Sequence, residues 1–138
     1  MSGLFCLHGH FYQPSREHPW LDAVEVEDTA APAHDWTDRI TTECYAPNAA
    51  ARILDERGRI VRIVNNYEAI SFNVGPTLAR WLRREVPEVD EQILQADQRS
   101  LAARGYGNAI AQPYVHMILP LASRRDKMTQ VRWGIASR

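Results

Sequence analysis

The sequence predicts an α/β protein in which parallel strands alternate with crossover helices. Two observations carry that expectation. Short apolar or β-branched runs (LFCL, RIVRIV, NAIAQPYVHMILPL) alternate with longer segments of helical spacing. Proline stands where three of the four helices should open (Pro47, Pro76, Pro87) and glycine where two of them should close (Gly58, Gly105). The resulting order is strand, helix, strand, helix, helix, strand, helix, which suits a parallel sheet with crossover connections.

Taken in turn, Leu4 to Leu7 reads as a buried strand ending at HGH. Residues 13–42 hold Pro14, Pro19, Pro32, the acidic run EVEDTA, Trp20 and Trp36, and no period persists across them. This is a long excursion with room for one short helix, and its two tryptophans argue against disorder. APNAAARILDERG then predicts a helix opened by Pro47 and stopped at Gly58, with Ala50, Ile53 and Leu54 on one face. RIVRIV predicts a strand, and NNYEAISFNVG its end and the following loop. PTLARWLRRE carries Leu78, Trp81 and Leu82 at helical spacing, and PEVDEQILQADQRSLAARG makes the next helix, ending at Gly105. NAIAQPYVHMILPL is strand-like though broken by Pro113 and Pro120. RRDKMTQVRWGIASR predicts a last helix with Met128, Val131 and Ile135 along one side. Three or four strands are too few to close a barrel of about 250 residues, so the expectation is the N-terminal portion, over 1–138, of one larger catalytic domain.

The 138 residues suffice for one modest core, and 45% hydrophobic with 24% charged residues are ordinary globular values. Sixteen Lys+Arg against seventeen Asp+Glu give a formal charge of −1, with no basic stripe, which speaks against nucleic acid as a partner. Arg83-Arg84 and Arg124-Arg125 sit beside acids and read as solvated helix faces. Cys6 and Cys44 have no CxxC spacing, so two buried thiols in a reducing compartment are expected. No signal-like or membrane-length apolar run is present, and the cytoplasm is the default location.

The stretch HGHFYQP (His8 to Pro14) concentrates the chemistry. Residues i and i+2 of a strand share a face, so His8 and His10 stand about 6–7 Å apart, at a strand's carboxyl end where ligands bind. Three roles are open to the pair. It can be structural, with one ring buried and one exposed; it can ligate a metal through neutral nitrogens, as in a metal-dependent hydrolase or deacetylase; or it can hydrogen-bond ligand hydroxyls. Further metal ligands would come from His116, Asp35, Glu43 or Glu68, none at telling spacing. His116 also reads as a core histidine, and Glu68 as either a pocket acid or a turn cap. Trp20, Trp36 and Tyr45 suit either sugar-stacking platforms or packing of the excursion.

With these residues in view, the chain resembles the N-terminal part of glycoside hydrolase family 57, whose members act on α-glucans. His8, His10, Gln13 and Pro14 match the family's first-strand element. SFNVGPTLARWL (Ser71 to Leu82) is similar to its strand-loop-helix, and Gly105 to Gly134 to its second element and following helix. HDWTDRITTECYAPNAAARIL resembles a less-studied subgroup. Two departures stand out: Asn108 falls where members usually carry glutamate, and nothing matches the Trp-Pro-Glu element that holds the nucleophile.

The resemblance implies an incomplete (β/α)7 barrel of the glycoside hydrolase/deacetylase type. It implies a retaining glycosidase or glucanotransferase, with an oligo- or polysaccharide as substrate and no cofactor or metal. The sugar-binding residues it implies are His8, His10 and Gln13, with Trp36, Glu68, Asn108 and His116 as weaker ones. Both reacting carboxylates are expected on later strands, in the remainder of the same polypeptide, so no catalytic residue is assigned within the chain. A catalytically inactive carbohydrate-binding remnant is the further alternative.

Overall fold

The structure, a computed structural model, describes residues 3–137. It is a mixed α/β protein with two small two-stranded sheets and five α-helical segments among those residues. The chain divides into two compact units, one formed by the chain up to Pro14 together with the chain from Tyr67 on, the other by Ser15–Asn66. The second unit is thus wider than the excursion drawn at 13–42. No helix among the described residues is long and apolar enough to cross a membrane.

In the first unit, β1 (His8–Phe11) pairs in parallel with β4 (Ser71–Val74), His8 opposite Ser71 and His10 opposite Asn73. The strand therefore comprises HGHF itself. Leu4, Phe5 and Leu7 are exposed, and the Leu7 carbonyl accepts from the Ser71 N–H. Cys6 is likewise exposed and Cys44 half-buried, so neither thiol is the buried one expected. SFNV, which its residues placed at a strand end and loop and the resemblance placed in a strand-loop-helix, is a strand of its own. A single parallel bridge, Phe72 to Ala109, is all that NAIAQPYVHMILPL contributes to the sheet. Pro113 lacks the N–H a continuing ladder would use.

From β4 the chain enters α3 (Pro76–Glu85) and α4 (Pro87–Arg104), both opened by proline as expected. Gly105, at φ 82°, closes α4 in the left-handed conformation that glycine adopts without strain. Leu78 and Leu82 of α3 meet Val89, Ile93 and Ala96 of α4 in a core completed by Tyr67 and Phe72. Phe11, Tyr67 and Phe72 pack edge to face, with centroids 5.2 Å apart at each step. The last helix, α5 (Arg124–Ala136), is capped by the Ser123 hydroxyl accepting from the Asp126 N–H. It buries Gln130 and Gly134 and leaves Met128, Val131 and Ile135 exposed, the reverse of the face its apolar spacing suggested.

In the second unit, α1 (Trp36–Ile40) continues through a π-helical turn (Thr41–Tyr45) into α2 (Ala46–Ala49). Pro47 therefore lies within a helix rather than opening one. It has no N–H for the Glu43 carbonyl, and the turn before it widens so that the Ala46 N–H reaches back to Thr41 O. The helix expected over 47–57 is instead a hairpin: β2 (Ala51–Leu54) pairs antiparallel with β3 (Ile60–Val64). RIVRIV accordingly lies outside the parallel sheet. Asp55 Oδ1 accepts from the N–H groups of Arg57 and Arg59, and Gly58 takes φ 74°.

Candidate functional site

The parallel register does the first work of assembly. His8, His10, Ser71 and Asn73 occupy one face of the β1–β4 ribbon, because i and i+2 positions point the same way on each strand. Asn73, itself buried, is the hub. Its Oδ1 lies 2.9 Å from His8 Nε2, and its Nδ2 lies 2.8 Å from His10 Nδ1 and also donates to Gln112 Oε1. On the far side of His8, Nδ1 is 2.6 Å from Ser71 Oγ.

These partners constrain the imidazole tautomers. A carboxamide oxygen only accepts, so His8 carries its proton on Nε2 and its Nδ1 accepts from the Ser71 hydroxyl. His10 Nδ1 lies 2.8 Å from Asn73 Nδ2 and 3.1 Å from Asn73 Oδ1, so it can accept from the amide or donate to the oxygen, and in either case His10 Nε2 has no partner among the described residues. Both nitrogens of His8 are committed; one nitrogen of His10, Nε2, is available to a ligand.

Beside this network lies a cleft of about 290 Å³ whose walls include His10, Tyr12, Asn73, Gln112, Val115 and His116. Three rings form its aromatic side. His10 lies parallel to Tyr12 (6.4 Å between centroids, 5° between planes), and His116 is tilted against both, at 5.1 Å and 5.0 Å. His116 is exposed rather than a core residue. Gly75 allows Tyr12 to lie where it does, since a Cβ there would stand 2.5 Å from the ring. On the other side α5 holds the segment that carries Gln112 and His116. Gln130 accepts the Val115 N–H at its Oε1 (2.9 Å) and the Tyr114 N–H at its main-chain oxygen (3.1 Å).

The remaining expected site residues are placed elsewhere. Gln13 is half-buried, and its carbonyl accepts from the Thr77 hydroxyl (2.5 Å) at the start of α3. Glu68 pairs with Arg99 (2.6 Å). Asn108 is buried and fully engaged: its Nδ2 donates to the Tyr67 and Glu68 carbonyls and its Oδ1 accepts from Arg104. Glu68 and Asn108 thus tie α4 to the turn before β4. Trp36 belongs to the second unit, where its indole N–H donates to Thr29 Oγ1 (3.0 Å) and the Arg39 guanidinium lies over its ring at 5.0 Å. Tyr45 is buried in that unit and Trp20 is exposed.

The acids named as metal-ligand candidates are likewise engaged. Asp35 caps α1 through the N–H groups of Thr37 and Asp38, and Glu43 pairs with Arg39 at 2.9 Å. Among the described residues no three His, Cys, Asp or Glu side chains gather as a metal site requires. Among the described residues that line the cleft there is no carboxylate. It offers imidazole, phenol and carboxamide groups over ring faces, donors and acceptors of hydrogen bonds without a formal negative charge among the described residues.

Sequence reasoning missed Ser71, Asn73 and Gln112, whereas the aromatic pair of FYQP beside the histidines points to Tyr12 as part of a stacking wall. The signal for Asn73 was present, since FN follows the HGH strand in a segment that mirrors its alternation, but only the register shows that it faces His10. In comparisons with known proteins, no family model, no curated protein and no solved structure matches the chain.

Proposed function

We propose that the cleft is a saccharide subsite, and that the chain is the N-terminal part of an incomplete β/α barrel of the family 57 type, acting on α-glucans by a retaining mechanism. The observation that carries this reading is the His10–Asn73–Gln112 network beside the Tyr12 and His116 rings. It supplies an unpaired imidazole nitrogen and ordered amides for sugar hydroxyls, and aromatic faces for the apolar side of a pyranose. The β1–β4 parallel pair and the bridge at Ala109, with α3 and α4 between them, suit the opening strands of such a barrel. Catalysis in this class needs two carboxyl groups about 5–5.5 Å apart. Asp35, Glu43 and Glu68 are engaged as caps and ion-pair partners, so on this reading the reacting acids come from further polypeptide.

Titration with maltotetraose, followed by NMR shifts of the His10 and His116 rings, tests the proposal. Saturable shifts are expected in the wild type. His10→Ala should weaken binding about tenfold, the worth of roughly 1.4 kcal/mol. Absence of binding by the wild type would refute it, and stoichiometric zinc in the purified protein would favour the metal-hydrolase alternative built on His8 and His10.

A further inference from the structure

His8 takes no direct part in the cleft, since both its nitrogens are occupied, and what occupies them has a chemical pattern of its own. Ser71 Oγ donates to His8 Nδ1 at 2.6 Å, and His8 Nε2 donates to Asn73 Oδ1 at 2.9 Å. A hydroxyl, a base within hydrogen-bond reach of it, and a third group fixing the tautomer of that base make up the arrangement that activates a serine nucleophile. The orienting amide is rigidly held, because Asn73 is buried and bound also to His10 and Gln112. Ser71 and His8 are half-buried and exposed respectively, so a reagent reaches the hydroxyl.

We infer that Ser71, His8 and Asn73 form a nucleophile–base–orienter triad that accepts the acyl group of activated carboxylic esters. Ser71 Oγ attacks the ester carbonyl carbon as its proton passes to His8 Nδ1. The tetrahedral intermediate expels the aryloxide, which takes that proton, and Ser71 is left as an acyl ester. His8 then takes a proton from water as its oxygen attacks the acyl carbon. Collapse releases the carboxylic acid, and the proton returns to Ser71. Asn73 Oδ1 holds the imidazole in the tautomer that accepts at Nδ1 and stabilises its charged form. The Ser71 N–H is spent on the Leu7 carbonyl and does not serve the oxyanion, which restricts the chemistry to esters with good leaving groups.

The test uses the intact chain, para-nitrophenyl acetate and peptide mass spectrometry, and needs no saccharide, so it succeeds or fails independently of the α-glucan reading. One equivalent of nitrophenolate should be released in a burst, with a single acetyl group recovered on the peptide containing Ser71. A fluorophosphonate reagent should label the same residue. Ser71→Ala, checked by circular dichroism to be folded, should lose the burst and the label. His8→Gln should slow acylation about 100-fold, as expected for removal of a general base. If the acetyl group is found on an imidazole, if Ser71→Ala retains the burst, or if no adduct forms, the inference is overturned.

Discussion

Gly134 sits where α5 crosses the main chain of Gln112, and a Cβ at that position would overlap the Gln112 carbonyl oxygen. Main chain cannot swing aside as a long side chain can, so the helix has to withdraw or the segment has to move. The same helix holds that segment a turn earlier through Gln130. Gly134→Ala should therefore lower stability by about 1–3 kcal/mol, the usual cost of overpacking, in urea unfolding. It should also separate the His116 ring from Tyr12, lost as a nuclear Overhauser contact. An alanine variant of full stability with the ring contact intact would show that the close approach is slack. The exposed substitution Arg132→Ala on the same helix should change neither observable. At this scale the sequence was partly legible. HGH announced paired imidazoles, but not that one of them would be consumed by Ser71 and Asn73. That outcome depends on which residue of β4 stands opposite which residue of β1, and strand register is set by packing far from either motif.

The α1–α2 helix has a more local logic. Asp35, 3% exposed, accepts from the N–H groups of Thr37 and Asp38, satisfying donors that a helix start leaves unpaired. Burial raises its pKa and is the largest single influence. The hydrogen bond to His34, the two main-chain N–H groups and the His34 charge together outweigh it, so the net shift is below the ordinary 3.8. A carboxyl group with a depressed folded-state pKa contributes stability above its unfolded value and loses it as pH falls through the folded one. Asp35→Ala should therefore cost about 1 kcal/mol at pH 6. That difference should shrink as pH is lowered through and below 3.8, whereas the stability difference between Asp35→Ala and Asp35→Asn, neither of which ionises at this position, should stay constant with pH. Urea melts at a series of pH values measure both; a pH-independent Asp35→Ala penalty would contradict the electrostatic account. Helices were legible where proline and glycine punctuate them, as the bounds of α3 and α4 show. The hairpin was not, because a glycine at positive φ closes a helix and a β-turn equally well, and Ala-Arg-Ile-Leu favours a helix until Ile60–Val64 pairs with it. Propensity yielded there to a partner that lies later in the chain.

For the molecule as a whole, what counts is which chemistry each unit holds. The first unit carries the cleft with its rings and amides, and among the described residues its wall has no carboxylate. The acids that could be recruited from sequence are each committed: Asp35 to a helix start, Glu43 to Arg39, Glu68 to Arg99. Glycosyl transfer through an oxocarbenium-like transition state needs one carboxylic acid to protonate the leaving oxygen and one carboxylate to attack or stabilise the anomeric carbon. Imidazoles and amides stabilise charge and hold hydroxyls, but do not replace both. The chain of 138 residues should therefore bind maltooligosaccharide and leave it intact. Incubated with amylose or maltotetraose, it should generate no new reducing ends and no transfer products above a protein-free control by reducing-sugar assay and chromatography. Turnover abolished by Glu68→Gln would mean that the Arg99-paired acid is catalytic after all, and the division between a binding cleft here and acids elsewhere would fail. Unchanged glycan together with saturable ring shifts would fix the cleft's role as recognition.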